Sequence, residues 1–134
     1  METLEPKYDF LLSTSMKFIH GKSHEWFTLV ESWQMELNSF ERLLHLHNDR
    51  TFPPDDDQMT RLLSRLKGLK KEVNTLLRQV GQFENNVAEY ARNETGANGE
   101  LYEMRFSYTK RLVDRVSRSI TLFKLNLFEF SESW

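Results

Sequence analysis

A chain of 134 residues without cysteine excludes disulfide staples and thiolate metal sites, and it can bury a core as one domain over residues 1–134. Eighteen Lys and Arg stand against twenty Asp and Glu, a net charge of −2, so there is no overall pull toward nucleic acid or an anionic membrane. No uncharged apolar run approaches the roughly 20 residues that span a bilayer, and the first residues lack a basic start and a small-residue cleavage site, so a soluble protein of the reducing cytoplasm is expected.

The first predicted helix covers residues 7–48. Its apolar positions step by four and three through Leu12, Met16, Ile19, Ser23, Trp26, Val30, Trp33, Leu37, Phe40, Leu44 and His47. Only Ser23 and His47 are not apolar. A strand cannot sustain a 3.5-residue repeat, so the pattern is helical. Gly21 interrupts the composition between His20 and His24 but not the phase, because Ile19 and Trp26 share one register. The helix is therefore expected to continue through an outward glycine that costs about 1 kcal/mol relative to alanine. The alternative is a break near 20–23, which would make four helices.

Consecutive Pro53 and Pro54 within NDRTFPPDDDQ cannot continue a helix, and the three aspartates that follow suit the positive end of a new one. The second predicted helix, 56–92, repeats the spacing through Met59, Leu62, Leu66, Leu69, Val73, Leu76, Val80, Phe83, Val87 and Tyr90. NETGANGE, residues 93–100, carries two glycines and two asparagines and marks a second turn. Its Asn93-Glu94-Thr95 matches a glycosylation acceptor, which matters only in a secreted protein. The third helix, 100–133, runs through Tyr102, Phe106, Thr109, Val113, Val116, Ile120, Phe123, Leu127, Phe130 and Trp134.

Three long helices with short connections imply an all-α, elongated, antiparallel up-down-up bundle with coiled-coil-like heptad seams. Folding the first helix onto the second around the prolines is expected to set Glu36 beside Lys70 and Glu41 beside Arg65. The architecture resembles a spectrin-type repeat, three long antiparallel helices with tryptophans in the first. No family motif accompanies it, and architecture alone implies no function.

Catalytic chemistry finds little support. His20 and His24, at i and i+4, could offer two nitrogens to a metal from one helix face, but two ligands do not make a site. On the second helix the corresponding level offers Gly81, Gln82, Asn85 and Asn86, with Glu84 the only carboxylate. His45 and His47 point in different directions, and His47 is expected to close the end of the bundle. No Glu-x-x-His pair, phosphate loop, nucleophile elbow or dinucleotide fingerprint occurs. No catalytic residue, cofactor or enzymatic activity is therefore assigned.

Two surface features carry more. Residues 61–78 and 105–124 are rich in Lys and Arg, and Lys67, Lys71, Arg78, Arg111, Arg115 and Arg118 fall away from the seams. Such a strip could bind an acidic protein or a nucleic acid; the bland reading is a solvated face partly neutralised by glutamates of the first helix. Aromatic residues are not read as interleaved with these cations, which disfavours nucleic acid. Near the end of the third helix Leu122, Leu125 and Phe128 lie off the seam, and the bundle brings them beside Leu43 and Leu46 and near Phe52. This excess of apolar side chains points to a surface that buries against a partner.

Two classes of function follow. The favoured one is a non-enzymatic helical interaction or scaffold module that self-associates as a twofold dimer or meets another helical protein. The other is a bundle that binds a metal or a small molecule through His20, His24 or the polar side chains Asn74, Gln79, Gln82, Asn85 and Asn86.

Overall fold

The computed structural model describes the backbone of residues 5–50, 57–93 and 99–132, and side chains over 17–50, 57–87 and 102–132. These residues form three helices, α1 (Glu5–Arg50), α2 (Asp57–Asn93) and α3 (Gly99–Ser131), with no strand among them. Each boundary falls within two residues of the sequence-based one. The 46 residues of α1 extend about 69 Å, so the molecule is a rod. Asp57 opens α2 as the acidic residue of its first turn, where a carboxylate meets the helix dipole favourably. The two aspartates before it, both prolines, Phe52 and residues 94–98 of the expected turn at 93–100 lie outside the described residues, while Asn93 ends α2 and Gly99 and Glu100 begin α3.

The course of the bundle is fixed by contacts between helices. His24 meets Glu84, Gln34 meets Asn74 and Glu41 meets Lys70, so α1 numbers rise as α2 numbers fall. Phe18 packs against Phe106, Phe40 against Phe123 and His47 against Phe130, so α3 runs parallel to α1. The topology is up-down-up.

Seam residues form the core. On α2 every seam position from Met59 to Val87 is buried, and on α3 so is every one from Thr109 to Phe130. On α1 the seam is buried from Ile19 to Leu44 apart from half-buried Phe40. Each such side chain contributes roughly 1.5–3 kcal/mol when fully removed from water.

Helix α1 is continuous through Gly21, so the four-helix alternative does not occur. The polar seam residue next to it is fully buried: Ser23 donates its hydroxyl to the His20 carbonyl at 2.8 Å, which satisfies the group inside the helix. Its small volume has a packing reason. At this level Phe106 stacks on Trp26 with centroids 4.9 Å apart and also meets Phe18 at 6.1 Å, so large rings crowd the space that a bulky seam residue would need.

A Cβ added at Gly21 or Gly68 would meet nothing within 4 Å, whereas at Gly81 it would lie 3.2 Å from Phe27 Cε2. Gly21→Ala and Gly68→Ala should therefore each stabilise the protein by about 0.5–1 kcal/mol in urea denaturation, and Gly81→Ala should gain less or lose stability. Destabilisation by Gly21→Ala would mean that α1 is not helical there in solution.

Candidate functional site

Three kinds of outer face result from this packing. Between α1 and α2 the flanks are polar. Gln34 donates its side-chain amide to Asn74 Oδ1 at 2.7 Å, and Lys70 Nζ meets Glu41 Oε1 at 2.7 Å. The expected pairs Glu36–Lys70 and Glu41–Arg65 do not form. Glu36 instead meets Lys124 of α3 at 2.7 Å, while Arg65 is exposed. Glu36 sits on the α3 side of the α1 seam and Glu41 on the α2 side, a distinction that level along the rod cannot supply.

His24 is exposed, and its Nδ1 lies 2.9 Å from Glu84 Oε2, an imidazole N–H donating to the carboxylate. The His20 side chain is exposed as well. Among the described residues no group of three or more His, Asp or Glu converges on a common point. The pair bridges α1 and α2 at the level the sequence indicated. His47 sets its ring edge-on to Phe130 at 5.9 Å and 89°, at the level of the last described core residue of α3.

Between α1 and α3 the flanks are apolar at one end. Leu43 and Leu46 on α1 are 49% and 48% exposed, and Leu122, Leu125 and Phe128 on α3 are each 53% exposed. The ring pairs Phe40–Phe123 and His47–Phe130 place these stretches at one level. The Glu36–Lys124 ion pair marks the groove between the helices. Leu43, seven residues after Glu36, and Phe128, four after Lys124, continue along that groove. Leu122 sits about 120° around α3 from Phe128 and shares a ridge with Tyr108 and Arg115 instead. All ten large apolar side chains that are exposed among the described residues belong to α1 or α3, and none to α2.

Between α2 and α3 the face is basic. Lys67, Lys71, Arg78, Arg111, Arg115 and Arg118 are all exposed, but only the three arginines of α3 border this face; Lys67, Lys71 and Arg78 share a ridge of α2 with Asn74, which reaches Gln34 of α1. The α1 glutamates do not neutralise them: Glu41 and Glu36 are engaged with Lys70 and Lys124, neither of which belongs to the strip. An exposed aromatic also stands among these cations. Tyr108 is 56% exposed, three residues from both Arg105 and Arg111, so the reading that no aromatic is interleaved is corrected. The spacing Arg105, Tyr108, Arg111, Arg115 carried this signal.

No protein-family model, curated protein or solved structure matches the chain significantly. No helix among the described residues is long and apolar enough to cross a membrane.

The Lys70 ammonium, bonded to Glu41 and attracting it electrostatically, holds that carboxyl below its ordinary value of 4.5, with a smaller contribution from His45 and some opposition from burial. A lowered carboxylate adds stability above its unfolded-state value and loses it as pH falls through the folded-state value. Both side chains are about one-third exposed, 36% and 29%, so Glu41→Gln should cost under about 1 kcal/mol at neutral pH. In urea denaturation across a pH series the difference from wild type should be full above 4.5 and fade below it. A difference unchanged in strong acid would refute this electrostatic origin.

Proposed function

We propose that this protein is a non-enzymatic helical interaction module of the reducing cytoplasm that self-associates through the apolar end of the α1/α3 groove. One observation carries the reading: among the described residues, every large apolar side chain left exposed after the core has formed lies on α1 or α3. At the end of the bundle where Phe130 lies these side chains form two parallel ridges at one level. Apolar surface gathered in this way marks a contact region rather than scattered exposed leucines.

A second copy is the simplest occupant. The ridges are equivalent in kind, Leu43 and Leu46 on one helix, Leu125 and Phe128 on the other, and α1 and α3 run in the same direction. A twofold axis along the groove lays the first pair of one copy on the second pair of its partner, twice over. A standard interface covers about 800 Å² on each side, so these leucines and phenylalanine form its centre, and polar side chains along the groove its rim. Coiled-coil packing between the copies is the geometry this arrangement favours.

Sedimentation of the purified chain should show a concentration-dependent dimer. Leu125→Asp or Phe128→Asp should shift it to monomer by tenfold or more in dissociation constant, since either buries a charge at the interface centre. Ser64→Asp, on the exposed outer side of α2, should leave association unchanged. A wild-type chain that stays monomeric at high concentration would reject self-association.

A further inference from the structure

The α2/α3 face makes a second surface, distinct from the apolar groove, and its chemistry is that of a polyanion site. None of the arginines that border this face, Arg111, Arg115 and Arg118, forms an ion pair among the described residues. The salt bridges lie elsewhere, and the two that join α1 glutamates to lysines of other helices engage Lys70 and Lys124. The one carboxylate placed directly within the arginines of α3, Asp114, is held by Lys110 at 3.2 Å. Exposed Glu72 lies seven residues before Gln79 on α2 and borders the same face, where it opposes part of the arginine charge.

Along α3 the arginines at 111, 115 and 118 are spaced by four and three residues, about 6 and 4.5 Å of rise. They line a trough of about 470 Å³ together with Tyr108, Leu112 and Asp114, the carboxylate held by Lys110. On the other side of Tyr108 and Leu112 lies a hollow of about 260 Å³ lined by Gln79, Gln82 and Asn86 of α2 and by Arg105. A partly exposed aromatic ring thus separates a trough of guanidinium groups from a pocket of side-chain amides.

We propose that this face binds single-stranded nucleic acid. The arginines of the trough contact the backbone phosphates, for which their planar fork is suited. Tyr108 stacks a base, and the amides of Gln79, Gln82 and Asn86 offer both donors and acceptors to base edges in the adjoining hollow. An acidic protein segment would use the same cations but would gain nothing from an aromatic set beside amides. That arrangement selects the nucleic acid. The helices present a shallow hollow and no element that projects into a duplex groove, so the strand is single.

The test uses the full chain and fluorescein-labelled 20-nucleotide single strands of mixed sequence, one RNA and one DNA, read by anisotropy. Binding is expected at low salt, with log affinity falling against log salt at a slope of about −2 to −3, as contact with about three or four phosphates requires. The double variant Arg111→Glu/Arg115→Glu should weaken binding at least tenfold. Tyr108→Ala should weaken it about five- to hundredfold while leaving the salt slope unchanged, which a merely electrostatic role of this face would not produce. Circular dichroism melting of each variant confirms that it is folded, and the milder Arg115→Gln stands in if the double variant is not. Tighter binding of RNA than of DNA, or the reverse, identifies the physiological strand. Absence of binding to either strand at about 50 mM salt, or binding that Tyr108→Ala leaves intact and a polyglutamate peptide displaces equally well, overturns the proposal in favour of an acidic protein or no ligand.

Discussion

The bundle depends on the exclusion of water from a four-three sequence of side chains that keeps one phase along each helix. On α2 that phase is unbroken, from Met59 to Val87, and every position in it is buried. A single slip of one residue would rotate the apolar stripe by about 100° and expose it, so phase continuity is what forces three rods to lie lengthwise. The polar exceptions obey the same constraint. Ser23 and Thr109 are buried, and no buried side-chain nitrogen or oxygen among the described residues lacks a hydrogen-bond partner, so neither exception charges the core with an unmet polar group.

Once the seams are committed, the flanking residues decide what each outer face is. The α1 glutamates lie on opposite sides of their seam, and each takes the nearest lysine: Glu41 reaches Lys70 on α2, and Glu36 reaches Lys124 on α3. This engages Glu36 and Glu41 at the borders of the bundle. The arginines of α3 lie beyond these pairs, on the side facing away from α1. A chain with nearly balanced total charge thereby acquires a ridge of arginines on α3, a property that net charge conceals.

Helix number, length, direction and core were legible in the sequence because they follow from periodicity, which is local and repeated many times over. Even Gly21 could be read, since the residues on either side of it keep step. Pairings across helices were not. The stagger of α1 against α2 depends on the path of the connection around Pro53 and Pro54, and a shift of a few residues replaces Arg65 by Lys70 as the partner of Glu41. Glu36 turns to α3 and not to α2 because it lies on the other side of the α1 seam, which level along the rod does not reveal. The place of Tyr108 is hidden for a related reason: a count of charges over a segment takes no account of which ridge each residue occupies, and the ridge is what sets an aromatic among arginines. The apolar residues of the α1/α3 groove, by contrast, were visible as a surplus over what the seams use.

The location of that surplus has its own cause in the core. The seam of α2 is built from leucine, valine and methionine with Phe83 as its one buried aromatic, whereas α1 contributes Trp26 and Trp33 and α3 contributes Phe123 and Phe130. Slender side chains let the backbone of α2 approach both neighbours closely; α1 and α3 meet mainly through rings, Trp26 on Phe106 and Phe40 on Phe123. Rings hold the two helix axes apart and leave a wider groove between them. Leucines that flank such a groove cannot close over it as they would over a tight helix pair, so Leu43 and Leu46 remain half-exposed. The aromatic content of two seams thus fills the interior and, by the same spacing, opens the one groove whose borders are apolar.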